Sequence, residues 1–117
     1  MSTAVITGAS QGIGLELCRQ LRARGDTVIA ACRRASAELR ALGCSIVEDV
    51  EVTDEAAIAR LAAAVAGQRI DVLVNNAGIL SEESLDDLDL DRIRRQFEVN
   101  ALGPLRVTRA LLGNLGR

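Results

Sequence analysis

Thr7-Gly8-Ala9-Ser10-Gln11-Gly12-Ile13-Gly14 is the stretch that decides the fold. It follows the short apolar run Thr3-Ala4-Val5-Ile6-Thr7. It opens a helical pattern over 13–24 in which Leu15, Leu17, Cys18 and Leu21 share one face. Strand, glycine turn and helix together are the conditions under which glycines at this spacing carry chemistry. Gly8 permits a tight turn out of the strand. Gly12 lets backbone approach a pyrophosphate, and Gly14 lets the helix lie close to the sheet. The helix N-terminus then offers unpaired N–H groups to phosphate. The implied ligand is a dinucleotide; the bland alternative is a glycine-rich turn with no ligand.

Outward from this motif the chain alternates. Gly25 closes the first helix, and 27–32 is a second buried strand. A helix over 35–42 ends at Gly43. A third strand over 45–52 is more polar, and its alternation suggests a sheet edge. Thr53 or Asp54 can cap the next helix, which runs to 66. A fourth strand covers 71–75, a loop 78–88, and helices 89–99 and 103–112. The residues from 112 to 117, with two glycines, read as a frayed end. The order βαβαβαβαα predicts an α/β fold. It is a partial Rossmann fold with a four-stranded parallel sheet in the order 3-2-1-4 and right-handed crossovers. Residues 1–117 are expected to form a single dinucleotide-binding domain. The fourth strand, with Leu73 and Val74, is left as an apolar edge. A homodimer that extends the sheet, or a partner packed on the last two helices, would cover it.

The composition supports this reading. Of 117 residues 49% are hydrophobic, but Phe97 is the sole aromatic, so the core is built from Ala, Val, Leu and Ile, with Phe97 expected as an anchor within it. A formal net charge of -2 gives no general attraction for nucleic acid. Cys18, Cys32 and Cys44 lack metal-ligand spacing and read as unpaired, mostly buried thiols of a reducing compartment. There is no basic leader and no apolar run long enough for a membrane span. A cytoplasmic protein without a membrane segment is the expectation. Glu82, Glu83, Asp86, Asp87, Asp89 and Asp91 surround a helix start, where carboxylates stabilise the N-terminus rather than gather a metal. Arg92, Arg94 and Arg95 are expected to offset that charge. Leu102, Leu105, Leu111 and Leu112 suit either core or partner surface.

The end of the second strand selects the cofactor. An acidic residue there would favour NAD, whereas Ala31-Cys32-Arg33-Arg34 places a forked cation in position. Arg33 suits a 2′-phosphate, so NADP is favoured over NAD; Arg34 reads as a solvated surface residue.

Thr7 to Gly14 together with Asn75-Asn76-Ala77-Gly78 and Asn100-Ala101-Leu102-Gly103 resembles the short-chain dehydrogenase/reductase family across essentially the whole chain. It looks most like the small carbonyl-reductase and C-factor-like members. The resemblance implies that Gly8, Ser10, Gln11, Gly12, Ile13 and Gly14 belong to the pyrophosphate-binding turn. It implies that Asn76, Ala77 and Gly78 flank the riboses and that Asn75 ties the central strands together. Asn100 matches the family's proton-relay asparagine. An acidic-aliphatic pair in the family touches adenine. Glu51-Val52 matches it by spacing and Asp49-Val50 by residue identity.

The family continues with a serine and a Tyr-xxx-Lys helix. This chain has no tyrosine, no histidine and, all 14 basic residues being arginine, no lysine. Ser10, Ser81 and Ser84 precede Asn100 and are not candidates for that serine. The chain therefore reads as the N-terminal half of a short-chain reductase, whether engineered, naturally truncated or a minimal module. Three functions follow: a cofactor-binding module without catalysis, a dimerising structural fragment, or an oxidoreductase completed by a different chain.

Overall fold

Strands β1 (Thr3–Thr7), β2 (Thr27–Ala31), β3 (Ser45–Val47) and β4 (Val72–Val74) form one parallel sheet in the order β3-β2-β1-β4. The structure is a computed structural model that describes residues 1–79 and 83–116; Ser81, Glu82 and Arg117 lie outside the described residues. Val5 stands opposite Ile29 on one side and Leu73 on the other. Side chains alternate between the faces of a strand. Val5 and Ile29 therefore enter one core with Leu61, Val107 and Leu111. Ile6, Val28 and Ala30 enter a second with Cys18 and Leu39. Helices cover both faces, which is why β1 reads as a continuous apolar run. α1 (Gly12–Ala23) and α2 (Ala37–Arg40) supply one layer. α3 (Glu55–Ala64) and α5 (Gly103–Leu115) supply the other, and α4 (Leu90–Phe97) precedes α5.

The expected fold class is the observed one; several boundaries differ. β3 stops at Val47 rather than running to 52, because Asp49 adopts a left-handed φ of 60°. The Asp49 and Val50 amides still donate to the Arg33 and Cys32 carbonyls, each at 3.0 Å, so this segment stays stitched to the end of β2. α2 is four residues long, capped by Ser36. Asp54, not Thr53, caps α3 by accepting from the Ala56 amide at 3.0 Å. A π-helical turn, Glu98–Leu102, joins α4 to α5. Gly103 is required at the joint, since a Cβ there would lie 2.8 Å from Val52 Cγ2.

Two expectations fail. The C-terminal stretch is not frayed: α5 reaches Leu115, and Asn114 Nδ2 donates to the Val65 and Gln68 carbonyls, each at 2.8 Å. Those bonds tie the last turn to the end of α3 and outweigh the two glycines beside it. Phe97 is not a core anchor; it is 58% exposed. It shares an exposed face of α4 with Leu90 and Ile93 at helical spacing. Leu111 is core, whereas Leu105 and Leu112 are exposed. Cys18 and Cys32 are buried and Cys44 half-buried, with no disulfide among them. β4 pairs with β1 alone among the described strands, so it forms the other sheet edge. Among the described residues no helix is long and apolar enough to cross a membrane, and no acidic, Cys or His cluster suits a metal.

Candidate functional site

The strand order reverses at β1, with β2 on one side and β4 on the other. Connections leaving the carboxyl ends of β1 and β4 diverge there and open a crevice. A cavity of about 550 Å³ occupies it. That lies within the range of small-molecule pockets, roughly 300–1,000 Å³. Its walls are the turn after β1 (Gly8, Ser10, Gln11), the end of β2 (Cys32, Arg33, Arg34) and the segment after β3 (Val50, Glu51, Val52). Asn76, Ala77, Gly78 and Ile79 after β4 complete it, together with Arg95 and Val99.

The glycine turn is shaped by close approach. Gly8 has φ 61°, and a Cβ on it would lie 2.8 Å from Ala77 Cα. Asn76 Nδ2 donates to the Gly8 carbonyl at 3.1 Å. A Cβ on Gly14 would strike that same carbonyl and lie 2.6 Å from Asn76 Nδ2. Gly12 faces open space. Gln11, at the N-cap of α1, makes no side-chain cap bond, so the first amides are left for another acceptor. Ile13 is 74% exposed, and Gly12, Ile13 and Gly14 do not line the cavity. Gly14 shapes the cavity only by letting α1 approach.

Ser10 has a structural task that its sequence reading lacked. Its Oγ donates to the Arg34 carbonyl at 2.6 Å, and Ser36 Oγ donates to the Ser10 carbonyl at 2.6 Å. These bonds fasten the turn to the segment that carries Arg33. Glu48 braces that segment from below, accepting from the Ala35 amide at 2.8 Å and from Arg40 Nη2 at 3.0 Å. The Ala35 N–H first, and then Arg40, hold its carboxyl below the usual glutamate range.

Of the two acidic candidates, Glu51 and Val52 line the cavity and Asp49 does not. Glu51 Oε2 lies 3.8 Å from Arg33 Nη1 and 3.7 Å from Arg95 Nη2. Arg34 also lines the cavity while remaining exposed. Arg95 is the residue that sequence reasoning misplaced. Arg92 pairs with Glu83 at 3.1 Å and Arg94 with Asp91 at 3.1 Å, as expected of that acidic run. Arg95 turns the other way. One helical turn before Val99, it shares that residue's face, a spacing that could have placed it.

Asn100 sits on the π-helical turn and does not line the cavity. Its Oδ1 accepts from the Ile79 amide at 2.8 Å, and its Nδ2 donates to the Ile79 carbonyl at 2.6 Å. It pins the segment after β4. Asn75 does not tie the central strands; it donates to Thr108 Oγ1 of α5 at 3.1 Å because its side chain leaves the sheet on that side. Thr7 and Asn76 make the tie instead.

Burial, then the Glu48 charge, raises the Cys32 thiol, and burial pushes Cys18 up to about 12. Both remain thiols at neutral pH, unsuited to nucleophilic attack.

A short chain dehydrogenase profile matches residues 2–117. The chain belongs to the short-chain dehydrogenase family. It is 41% identical over 113 residues to 1-hydroxy-2-glutathionyl-2-methyl-3-butene dehydrogenase of a Rhodococcus species, covering 95% of this chain and 50% of that one. The NADPH-bound carbonyl reductase from chicken fatty liver superposes with a TM-score of 0.85 at 30% identity, covering 96% of this chain and 50% of that one. A short-chain dehydrogenase/reductase of Burkholderia multivorans with bound NADP gives 0.85 at 27% identity, covering 97% and 53%. This short-chain dehydrogenase chain thus spans about half the length of the relatives it matches. The family expected from three short motifs and the Rossmann sheet expected from element order are both found.

Proposed function

We propose that this chain is an NADP(H)- or NAD(H)-binding module of a short-chain oxidoreductase, with NADP(H) preferred. The observation that carries the reading is the convergence of the glycine turn, Arg33 and the 76–78 segment on one cavity at the strand-order reversal. Gly8 and the uncapped start of α1 suit a pyrophosphate. Arg33 suits a 2′-phosphate, and Glu51 with Val52 suits adenine. When bound, the nicotinamide would supply or accept hydride. The chain's own residues bind and orient; lacking tyrosine and lysine, they offer no acid of the family's kind for the substrate oxygen. Turnover of a carbonyl or alcohol therefore requires residues from another chain or segment, with Asn100 at the family's relay position.

The exposed β4 edge supports a second element of the reading: self-association through that strand. Unpaired thiols suit a reducing cytoplasm.

Calorimetric titration with NADPH and with NADH tests the proposal. One-to-one, saturable binding favouring NADPH is expected. A folded chain that binds neither would leave a structural fragment as the better reading.

A further inference from the structure

Two of the three thiols touch each other. Cys18 lies on the face of α1 that packs against the sheet, and Cys44 stands immediately before β3. The Cys18 thiol donates a hydrogen bond to the Cys44 sulfur. Arg22, one helical turn further along the same face, grips the backbone beside it. Its Nε donates to the Leu42 carbonyl at 3.3 Å and its Nη1 to the Asp26 carbonyl at 2.9 Å. The sulfur contact is thus held by two elements remote in sequence. Cys44 is half-buried and Cys18 fully buried, so a small reagent meets Cys44 first. Burial raises both thiols, but at Cys44 the Cys18 S–H and then the Arg22 charge oppose that rise. Cys32 follows the carboxyl end of β2 and lines the cavity instead.

We infer that Cys18 and Cys44 form an oxidisable dithiol, which a hydroperoxide converts into a disulfide that locks α1 to the start of β3. The Cys44 thiolate attacks a peroxide oxygen. The O–O bond breaks, hydroxide leaves, and Cys44 becomes a sulfenic acid. The Cys18 sulfur then attacks the sulfenic sulfur. The S–O bond breaks, the S–S bond forms, and the Cys18 proton leaves with the hydroxyl as water. Over both steps the two thiols lose their hydrogens and hydrogen peroxide is reduced to water. Cys18 is a poor nucleophile toward a distant target, but contact with Cys44 supplies the proximity that offsets its protonation. Sheet pairing begins at Ser45, opposite Ile29, so Cys44 can shift until the sulfurs are about 2.05 Å apart without breaking a strand pair. The cross-link closes a loop that contains β2 and α2, which restricts the unfolded chain and favours the folded one. It forms at the amino end of β3, whereas the cavity opens at the carboxyl ends of the strands. Oxidation therefore locks this half of the fold and leaves the cavity unobstructed.

The test treats the reduced full chain with hydrogen peroxide, then unfolds it, blocks the remaining thiols with iodoacetamide and maps tryptic peptides without reduction. Cleavage after arginine puts the three cysteines on separate peptides, 1–19, 25–33 and 41–60. Peptide 1–19 should appear joined to 41–60, while Cys32 is recovered alkylated. Dithiothreitol should release the pair. C32S should form the same link and C44S none. The oxidised chain should melt about 5–15 °C higher than the reduced one. Peroxide added to chain already unfolded in urea should scatter the links over all three cysteines. A native chain that gives the same scattered pattern would overturn the inference, because contact in the fold would not then select the pair. A bridge to Cys32, a bridge between two copies, or Cys44 carried on to the sulfinic acid with Cys18 still alkylated would each do the same. So would recovery of all three thiols alkylated. A lower Tm after oxidation would also overturn it, since the bond would then be foreign to the native fold.

Discussion

The hydroxyl of Thr7 lies 3.0 Å from the amide nitrogen of Ala77 and accepts its hydrogen bond. The same oxygen accepts from the neighbouring Asn76 amide at 3.0 Å. One buried side chain at the end of β1 therefore sets where the segment after β4 begins, and with it one wall of the cavity.

Thr7→Val keeps the shape and removes the acceptor. The Ala77 amide loses its partner, and the Asn76 amide keeps only the Val74 carbonyl at 3.1 Å, at a cost of about 1–2 kcal/mol. Thr7→Ser should recover most of it. Urea unfolding measures both; a Val variant as stable as the unaltered chain would contradict the role given to Thr7.

Glycines 14 and 113 should respond to alanine with opposite signs. A Cβ on Gly14 meets the Gly8 carbonyl and the Asn76 amide, so Gly14→Ala should destabilise by about 1–3 kcal/mol and weaken nucleotide binding. Gly113 lies inside α5 with open space around it. Gly113→Ala should stabilise by up to about 1 kcal/mol. Thermal unfolding of the pair gives the comparison, and a loss in both would show that the two sites do not differ as the geometry says.

Acid should unfold the chain through carboxylates that hold β1 in place. Asp26 accepts from the Ser2 amide at 2.9 Å and Asp71 from the Thr3 amide at 2.9 Å. These N–H groups are the largest cause holding each carboxyl below the usual aspartate range. A carboxyl that is more acidic folded than unfolded contributes its stability above its unfolded pKa. That contribution drains as pH falls through the folded value. Stability should be flat above about pH 5 and fall below about pH 4. In D26N and D71N the fall should be shallower; an unchanged slope would show that other groups control it.

Self-association through β4 should be sensitive to one charge. Val72 is 47% exposed on the sheet edge, so Val72→Lys costs little within the fold. Sedimentation velocity should show the variant shifted toward monomer, since an edge lysine opposes strand pairing. A dimer that survives unchanged would move the interface to the exposed face of Leu90, Ile93 and Phe97.

The sheet and the glycine turn were legible because their signals are local: an apolar run, three glycines and a helical face, all within 3–24. Glu51 was legible only as one of two candidates. The decision depends on the left-handed backbone at Asp49, a conformation its residue type permits but does not announce. Arg95 was hidden for a different reason. Three arginines in four positions read as one charge group, yet a helix turns them toward different neighbours, and only Arg95 faces the cavity. Phe97 misled because aromatic residues are usually buried, whereas burial depends on what lies opposite. Asn114 shows the same limit at the C-terminus: its bonds to Val65 and Gln68 cross between helices that sequence does not place side by side.

The interior position of β1 also orders assembly in time. Its pairing with β2 spans a short connection, with Ser2 and Asp26 only 24 residues apart. Its pairing with β4 brings together Thr3 and Asp71, separated by 68. Loop closure grows more costly with length, so the β1–β2–β3 half is expected to nucleate first and β4 to dock last. Pulse-labelled hydrogen exchange should protect the Val28 to Ala31 amides before those of Val72 to Val74; the reverse order would refute this. The wall contributed by Asn76 to Ile79 arrives with β4. The cavity is then a product of the final folding step, so a nucleotide bound there would stabilise the finished chain without templating its beginning.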